Sequence, residues 1–346
     1  MSRNSHTETY ERTLQMLRTA LGSVITNALG DAKVIEVMVN PDGKIWLDSI
    51  GVGLTDTQSS LTPDQAERVV RLVGSHINQD VNVDTPIVSA ELPGNGERFE
   101  GLLPPVVAAA SFSIRKGAIS IFSLPDYVAA GSMSLDQSKA LTYAVESRQN
   151  ILIVGGTSSG KTTLANALLA VVSNTKDRVI ILEDTRELQC DAADTVALRT
   201  HGRNVGLSDL VRSTLRLRPD RIIIGEVRGP EALDMLKAWN TGHPGGISTI
   251  HANSAKAGLA RIEQLILEGV AVVPRALIAE AIDVIVFISG RGSQRRIKTI
   301  ARLIDVKGES YELEPLTAPS LIPKLTFDGD LSCRDHSHST STHASL

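Results

Sequence analysis

The chain has 346 residues, of which 42% are hydrophobic and 21% charged, and its formal net charge is −4. This length suffices for two ordinary domains, and the hydrophobic fraction is ample for a packed core. The negative net charge argues against nucleic acid as the main ligand. The chain has only two cysteines, Cys190 and Cys333, which excludes a disulfide framework or a cysteine-rich zinc site.

No segment of the chain has the pattern of a membrane span. The N-terminus lacks an apolar signal core, and no uninterrupted apolar run approaches the ~18–20 residues that a span needs. The most apolar late stretch, 270–288, is broken by a proline and charged residues. We therefore expect any membrane association to be peripheral or to run through a partner.

Residues 1–125 have the pattern of a small α+β domain. Helical periodicity runs from Glu8 to Leu29, and strands 34–39 and 44–47 meet across an Asn-Pro-Asp-Gly turn, which is a strong hairpin signal. A second helix begins with Thr62 as its cap and proline at its first position. Further strands are predicted near 86–91, 98–103 and 111–115.

Residues 126–135 have the composition of a linker, and 136–318 that of a second domain. Short apolar runs alternate with helical patterns in this domain, which is typical of a mostly parallel sheet with helices on its faces. The predicted strands are 150–154, 179–183, 195–200, 221–225, 247–251 and 284–289. The tail 319–346 is rich in Ser, Thr and His, and we expect it to be disordered rather than to use its histidines for a metal.

A glycine-rich loop follows the first strand of the second domain. It consists of Gly155, Gly156, Thr157, Ser158, Ser159, Gly160, Lys161 and Thr162, and it matches the phosphate-binding pattern G-x-x-x-x-G-K-[ST], the Walker A motif, at every required position. A strand pattern before it and a helical pattern after it make a chance match improbable. Backbone N–H groups and the helix dipole would bind phosphate oxygens. Lys161 would contact the β- and γ-phosphates, and the Thr162 hydroxyl would bind Mg²⁺.

Two acidic clusters end later strands of the same sheet. Glu183 and Asp184 follow one strand, and Glu226 follows another. Residues at the carboxyl ends of parallel strands face the ligand crevice, so these carboxylates are candidates to orient water and Mg²⁺. The alternatives are a helix-capping Asp184 with a solvated Glu183, and a surface glutamate in a turn. Gly225 stands where an Asp is common in such enzymes.

Two histidines flank a further strand. His251, at its crevice end, is a candidate to sense the γ-phosphate or to contact a neighbouring subunit, whereas for His243 an ordinary loop position is equally plausible. No metal-ligand spacing is present.

Together the glycine-rich loop, the two acidic clusters and the segment with two histidines resemble the corresponding motifs of the secretion ATPases of the type II/type IV superfamily. Segments 97–105 and 112–116 are, more narrowly, similar to those of the traffic ATPases of plasmid conjugative transfer systems. The resemblance covers about residues 8–316. The four-cysteine zinc insertion of type II relatives is absent.

The resemblance implies an α/β fold in which a smaller α+β N-terminal domain precedes a RecA-like P-loop ATPase domain. It also implies a homohexameric ring on the cytoplasmic face of the inner membrane, bound to inner-membrane components of a conjugative type IV secretion system. ATP with Mg²⁺ would bind between the domains and be hydrolysed. No direct nucleic-acid binding is expected.

The resemblance further assigns roles to single residues. The loop from Gly155 to Thr163 would hold the phosphates. Glu183 would activate water, and Glu226 would take the Mg²⁺–water position. His251 would belong to the γ-phosphate sensor strand. Arg115 and Arg98 would approach the γ-phosphate, although Arg98 is equally well explained as an exposed strand charge. Which of the two glutamates is the general base stays open at this stage.

Three functions are compatible with these patterns. The leading hypothesis is a ring ATPase that energises conjugative secretion through pilus or channel assembly or substrate transfer. A nucleotide-gated scaffold that assembles the channel, and hydrolyses only to reset, is the main alternative. A DNA-strand motor with the same core is disfavoured by the acidic pI of about 6.1.

Overall fold

A computed structural model describes residues 2–117, 122–201 and 204–317, and only the backbone of residues 2–9 and 293. The predicted tail 319–346 lies outside these residues. The first domain is built from two helices and six strands: α1 (Ser2–Gly30), β1 (Val34–Val39), β2 (Lys44–Ser49), β3 (Gly53–Ser60), α2 (Pro63–His76), β4 (Ile87–Glu91), β5 (Arg98–Leu102) and β6 (Ser111–Arg115).

The first domain has one antiparallel sheet in the order β3-β2-β1-β6-β5-β4. Both helices pack on it through apolar side chains such as Ile25 and Val70, which are fully buried with Phe99 of the sheet. The predicted hairpin, the Thr62 capping box and the three later strands are confirmed. The sequence reasoning missed β3.

The first helix is not continuous. The predicted segment from Glu8 to Leu29 is helical on both sides of Gly22, but Gly22 itself has φ 74° and ψ 172°. A glycine adopts this conformation without the steric cost that a Cβ would add. Periodicity alone could not reveal the break, because the apolar residues continue on the same side.

The rest of the described chain forms an α/β unit. Its elements are α3 (Leu124–Ala129), α4 (Leu135–Glu146), β7 (Ile151–Gly155), α5 (Lys161–Val172), β8 (Val179–Glu183), β9 (Thr195–Arg199), α6 (Leu207–Thr214), β10 (Arg221–Ile224), α7 (Glu231–Asn240), β11 (Ile247–His251), α8 (Ala255–Leu267), α9 (Arg275–Ala281), β12 (Val284–Ser289), β13 (Arg296–Lys307) and β14 (Ser310–Pro315). Its sheet has the order β14-β13-β12-β7-β11-β10-β8-β9.

The strands β12 through β9 of this order are mutually parallel, as the alternation of apolar runs and helical patterns predicts. The antiparallel hairpin of β13 and β14, which sequence reasoning missed, extends the sheet beyond β12. The segment predicted as a linker, 126–135, includes most of α3, which begins with a Ser123 capping box. The predicted domain boundaries stay proposals.

Helices cover both faces of the parallel strands. Consecutive residues of β7 point to opposite faces and all are buried, so Leu152 and Val154 pack with α6 to α9, while Ile151 and Ile153 pack with α3 to α5. Burial on both faces is typical of a central strand of a parallel sheet, and the glycine-rich loop follows β7 at its carboxyl end. The described residues include no helix that is both long enough and apolar enough to cross a bilayer.

Candidate nucleotide-binding site

The carboxyl ends of four neighbouring parallel strands bring the predicted site residues together. Gly155 ends β7, and His251, which ends β11, is its register partner. Glu183 ends β8, and Glu226 lies two residues after the end of β10. Because parallel strands share one direction, these residues meet at one edge of the sheet, as the sequence predicts.

The glycine-rich loop is tightly closed. A Cβ on Gly155 would lie 2.5 Å from Ser159 Oγ and 2.6 Å from the Ile288 carbonyl oxygen, so no side chain fits there. Ser158 and Gly160 have φ values of 60° and 94°. Gly160 also begins α5 without a side-chain cap. The first N–H groups of α5 therefore stay available for a ligand, and anions are the ligands that such a helix end favours.

Lys161, His251 and Glu226 form a line across this edge. Lys161 Nζ lies 3.2 Å from His251 Nδ1, and His251 Nε2 lies 2.7 Å from Glu226 Oε1. With Nδ1 accepting from the ammonium, the neutral ring carries its proton on Nε2, on the side of Glu226. Burial lowers the pKa of His251, against the pull of Glu226, which favours this neutral form.

Lys161 is a buried charge. Its relative exposure is 7%, and its ammonium also donates to the Gly156 carbonyl oxygen at 3.3 Å. Burial lowers its pKa, and the carboxylate of Glu226 acts in the opposite direction. A phosphate at the loop would supply the negative charge that a buried ammonium requires.

Glu183 is anchored by the backbone of the segment that follows it. Its Oε1 accepts the N–H groups of Glu187 at 2.9 Å and Leu188 at 2.8 Å. With a relative exposure of 4%, it is more buried than any other predicted catalytic residue. Burial raises its pKa to about 7, against the effect of those two hydrogen bonds.

The presence of glycine at position 225 has a steric explanation. A Cβ at this position would lie 3.1 Å from Glu183 Cγ and 3.4 Å from its Oε1. The space that an Asp side chain would occupy is therefore partly filled by Glu183. The departure at Gly225 therefore has a local cause, because the Glu183 side chain at the end of β8 occupies the space beside it.

Glu226 is held differently. Its Oε2 accepts hydrogen bonds from Arg228 Nε at 2.8 Å and Nη2 at 2.5 Å, while Oε1 faces His251. Arg228 also lies 3.8 Å from an Asp184 oxygen. Oε2 of Glu226 is thus held by the guanidinium of Arg228, whereas Oε1 faces His251 without a hydrogen bond among the described residues.

A chain of polar contacts connects the loop to the first domain. The Thr162 hydroxyl donates to Glu187 Oε2 at 3.1 Å, and Arg98 Nη1 lies 3.7 Å from Glu187 Oε1. Arg98 and Arg115 are register partners on β5 and β6, so both arginines leave the first sheet at the same place. The charge of Arg115 acts on Lys161, where it lowers the pKa of the ammonium.

A second contact between the domains lies beside this one. Glu91 of β4 accepts the backbone N–H of Arg186 at 3.2 Å and pairs with the guanidinium of Arg199 in β9. A cleft between the two domains is lined by Arg98, Thr162, Glu183, Asp184, Thr185, Glu187, Leu188, Gly225, Glu226 and Arg228. The predicted carboxylates, the loop threonine and one of the two predicted arginines therefore share one concave surface.

One candidate histidine lies elsewhere. His243 Nδ1 lies 3.1 Å from the Pro219 carbonyl oxygen, before β10 begins and so at the opposite edge of the sheet. Its ordinary loop interpretation is the one that agrees with this position.

Sequence reasoning did not select Glu187 and Arg228. Both stand in the acidic clusters, four residues after Glu183 and two after Glu226. Their charge could have drawn attention, but their partners Thr162, Arg98 and Glu226 become visible only in the folded chain. A third residue, Arg295, packs against Gly160 and carries no sequence signal.

Comparison with known proteins identifies the family of the chain. Residues 64–300 match the family model described as type II/IV secretion system protein. The conjugal transfer protein TrbB of Rhizobium radiobacter is 44% identical over 307 residues, which are 88% of this chain and 94% of that protein. The type IV secretion system protein VirB11 of Bartonella henselae is 31% identical over 78% of this chain and 85% of that protein.

A solved structure of the pilus retraction motor PilT with bound ADP has the same fold. It superposes with a TM-score of 0.59 at 19% identity, over 82% of this chain and 83% of that one. The predicted resemblance to the type II/type IV secretion family is confirmed, and so is the narrower resemblance to the conjugative transfer proteins. The chain belongs to the type II/IV secretion system protein family, and within that family it is similar to the TrbB conjugal transfer proteins.

Proposed function

We propose that this chain is a RecA-like ATPase that hydrolyses ATP with Mg²⁺ and thereby energises conjugative type IV secretion. The observation that carries the proposal is the meeting of Thr162, from the uncapped glycine-rich loop, with four carboxylates in one cleft, beside the buried Lys161 of the same loop. The names of its relatives, conjugal transfer protein TrbB and type IV secretion system protein VirB11, support the cellular role.

The loop would bind the triphosphate. The first N–H groups of α5 face outward from a backbone that Gly155 and Gly160 allow to close. Lys161 would exchange its contact with His251 for the β- and γ-phosphates, because a phosphate is the stronger partner for an ammonium. His251 could then donate to the γ-phosphate from the same strand end if its Nε2–H turned there from Glu226.

The residues around Thr162 fit a magnesium ion. Hydroxyl and carboxylate oxygens are the ligands that Mg²⁺ prefers, and Thr162 and Glu226 supply both kinds here. The Thr162 hydroxyl donates its proton to Glu187, which leaves the oxygen lone pairs for a cation. Among the described residues no group of three or more His, Cys, Asp or Glu side chains could hold a metal on its own, so phosphate and water oxygens would complete the shell. Bound Mg²⁺ would neutralise charge on the β- and γ-phosphates.

Glu183 is the better candidate for the general base. Glu226 is tied through Oε2 to the guanidinium of Arg228, whereas Glu183 is held only at Oε1 and only by neutral backbone N–H groups. A base with a pKa near the working pH also accepts a proton most effectively, and burial raises the pKa of Glu183 to about 7. We therefore assign the attacking water to Glu183 and the Mg²⁺–water position to Glu226.

Arg98 and Arg115 would complete the site from the first domain. Arg98 reaches Glu187 across the cleft, and Arg115 stands beside it in register. A planar guanidinium binds phosphoryl oxygens through two parallel hydrogen bonds. Opening or closing of the cleft would thus change the charge near the γ-phosphate, which offers a way to couple domain movement to hydrolysis.

The proposed assembly is a homohexameric ring, peripheral at the cytoplasmic face of the inner membrane and bound to inner-membrane components of the secretion system. Apolar side chains exposed around β3, namely Ile50, Val52 and Leu54, are available for such contacts. Mass measured in solution with and without ATP and Mg²⁺ tests the ring, and a monomer under both conditions would contradict it.

The catalytic proposal is tested by turnover of ATP in purified protein. Lys161→Ala removes the buried ammonium, and we expect it to abolish ATP hydrolysis. Its circular dichroism spectrum should match that of the wild type, which would show that the fold is retained. Lys139→Ala is the matched control, because Lys139 is an exposed lysine of the neighbouring helix α4. Unchanged turnover in Lys161→Ala would refute the proposal.

A further inference from the structure

Arg295 packs directly on the glycine-rich loop. A Cβ on Gly160 would lie 2.6 Å from Arg295 Nε and 2.7 Å from its Cζ, so the guanidinium rests on the backbone of the loop. The turn that carries it is also closed, since a Cβ on Gly290 would lie 2.3 Å from the Gln294 carbonyl oxygen. The position of Arg295 is therefore fixed by backbone on both sides.

The sheet order places Arg295 on a defined side of the loop. The loop follows β7, which lies between β12 and β11. His251 and Glu226 stand on the β11 side, where the γ-phosphate is proposed to bind. Arg295 approaches from the β12 side. A triphosphate bound with its γ-phosphate near His251 would therefore extend its α-phosphate and ribose towards Arg295.

The polar atoms on this side lack partners. Arg295 Nε and Tyr127 Oη are buried, and neither has a hydrogen-bond partner among the described residues. Tyr127, on α3, is only 5% exposed and lies close enough to feel the charge of Arg295. A buried donor without a partner costs free energy. Arg295 presents such a donor against the loop, and Tyr127 carries a second one within range of its charge, so a polar ligand bound there would supply a missing partner.

We propose that Arg295 binds the α-phosphate and ribose end of the nucleotide, opposite the γ-phosphate residues. This inference rests on the proposed function. Arg295 then contributes equally to ATP and ADP binding, and it holds the product after the γ-phosphate has left. Tyr127, which lies within range of the charge of Arg295, is the candidate for a second polar contact at the same end of the ligand.

The test compares Arg295→Met with Arg291→Met, a matched arginine that is exposed in the same turn. Dissociation constants for ADP and for a non-hydrolysable ATP analogue are measured by calorimetry. We expect Arg295→Met to weaken both by about the same factor, tenfold to a hundredfold, which is the range of a lost charge-assisted hydrogen bond. Arg291→Met should bind like the wild type.

A second readout separates binding from folding. Without nucleotide, Arg295→Met should unfold at the same or a higher temperature than the wild type, because it removes a buried donor that has no partner. Arg295→Lys keeps the charge but loses the planar fork, so its affinities should fall between those of the wild type and Arg295→Met.

Three results would overturn the inference: wild-type affinity for ADP in Arg295→Met, a loss confined to the ATP analogue, or an unfolding temperature several degrees lower without nucleotide. The second would place Arg295 at the γ-phosphate, and the third would make it a packing residue. A wild-type protein that binds no ADP would refute the proposed function itself, and the inference with it.

Discussion

Glu183→Gln should stabilise the nucleotide-free protein at alkaline pH. Glutamine keeps the side-chain shape and a carbonyl oxygen that accepts the N–H groups of Glu187 and Leu188, so the exchange removes only the charge. That charge is costly where it lies, because burial raises the pKa of Glu183 from 4.5 to about 7. The difference corresponds to about 3 kcal/mol in favour of the protonated folded state.

The sign of the pH dependence follows from this difference. The folded pKa of Glu183 lies above the unfolded one, so its contribution to stability is complete below about pH 4.5 and is lost as the pH rises through about 7. In Glu183→Gln this loss is absent. The difference in unfolding free energy between the variant and the wild type should therefore grow by about 2–3 kcal/mol between pH 5 and pH 8.

Urea unfolding followed by the fluorescence of Trp239 measures this difference. Trp239 is buried in α7, beside the sheet that carries Glu183, and Trp46→Phe removes the other tryptophan of the chain from the signal. Glu146→Gln, at an exposed position of α4, is the control and should show no such change. An equal stability difference at pH 5 and pH 8 would refute the buried, charge-disfavouring environment of Glu183.

Two further substitutions test the contacts around this residue. Gly225→Ala places a Cβ 3.1 Å from Glu183 Cγ, so it should lower ATP turnover at least tenfold and cost about 1–3 kcal/mol of stability. Gly117→Ala serves as the control, because a Cβ at that position would have no neighbouring atom within 4 Å. Wild-type turnover in Gly225→Ala would show that the Glu183 side chain has room to move. Arg98→Ala breaks a partly exposed ion pair with Glu187, so it should change the free energy of unfolding by less than about 1 kcal/mol. It should nevertheless lower ATP turnover at least tenfold. Turnover at the wild-type rate would show that Arg98 is only a surface charge.

The parallel core of the second domain was predictable because its signal is local. The strands β7, β8, β10 and β12 are short, mainly apolar runs, and a strand buried on both faces has that composition wherever it occurs. The hairpin of β13 and β14 was missed although its alternation of apolar and charged residues is a strand signal, because the sequence reasoning followed the β–α alternation of the parallel strands and no helix of that pattern separates β12 from β13 in the described chain. The break at Gly22 was missed because helical periodicity continues on both sides of it.

The candidate site was predictable to the level of strand ends. Gly155, Glu183, Glu226 and His251 could be placed at one edge, since parallel strands bring their carboxyl ends together. The contacts that decide their roles could not be predicted. Thr162 and Glu187 are 25 residues apart in sequence, and the steric dependence of Gly225 on Glu183 exists only when β8 and β10 lie side by side.

The most direct test of the central claim is ATP binding and ATP turnover measured together in Glu183→Gln. If Glu183 activates the attacking water at a phosphate site built by the loop, the variant binds ATP with wild-type affinity while turnover falls by at least a hundredfold. Glu226→Gln, measured beside it, should weaken the dependence of binding on Mg²⁺. Wild-type turnover in Glu183→Gln would contradict the assignment of the base and the reading of the cleft as its catalytic site.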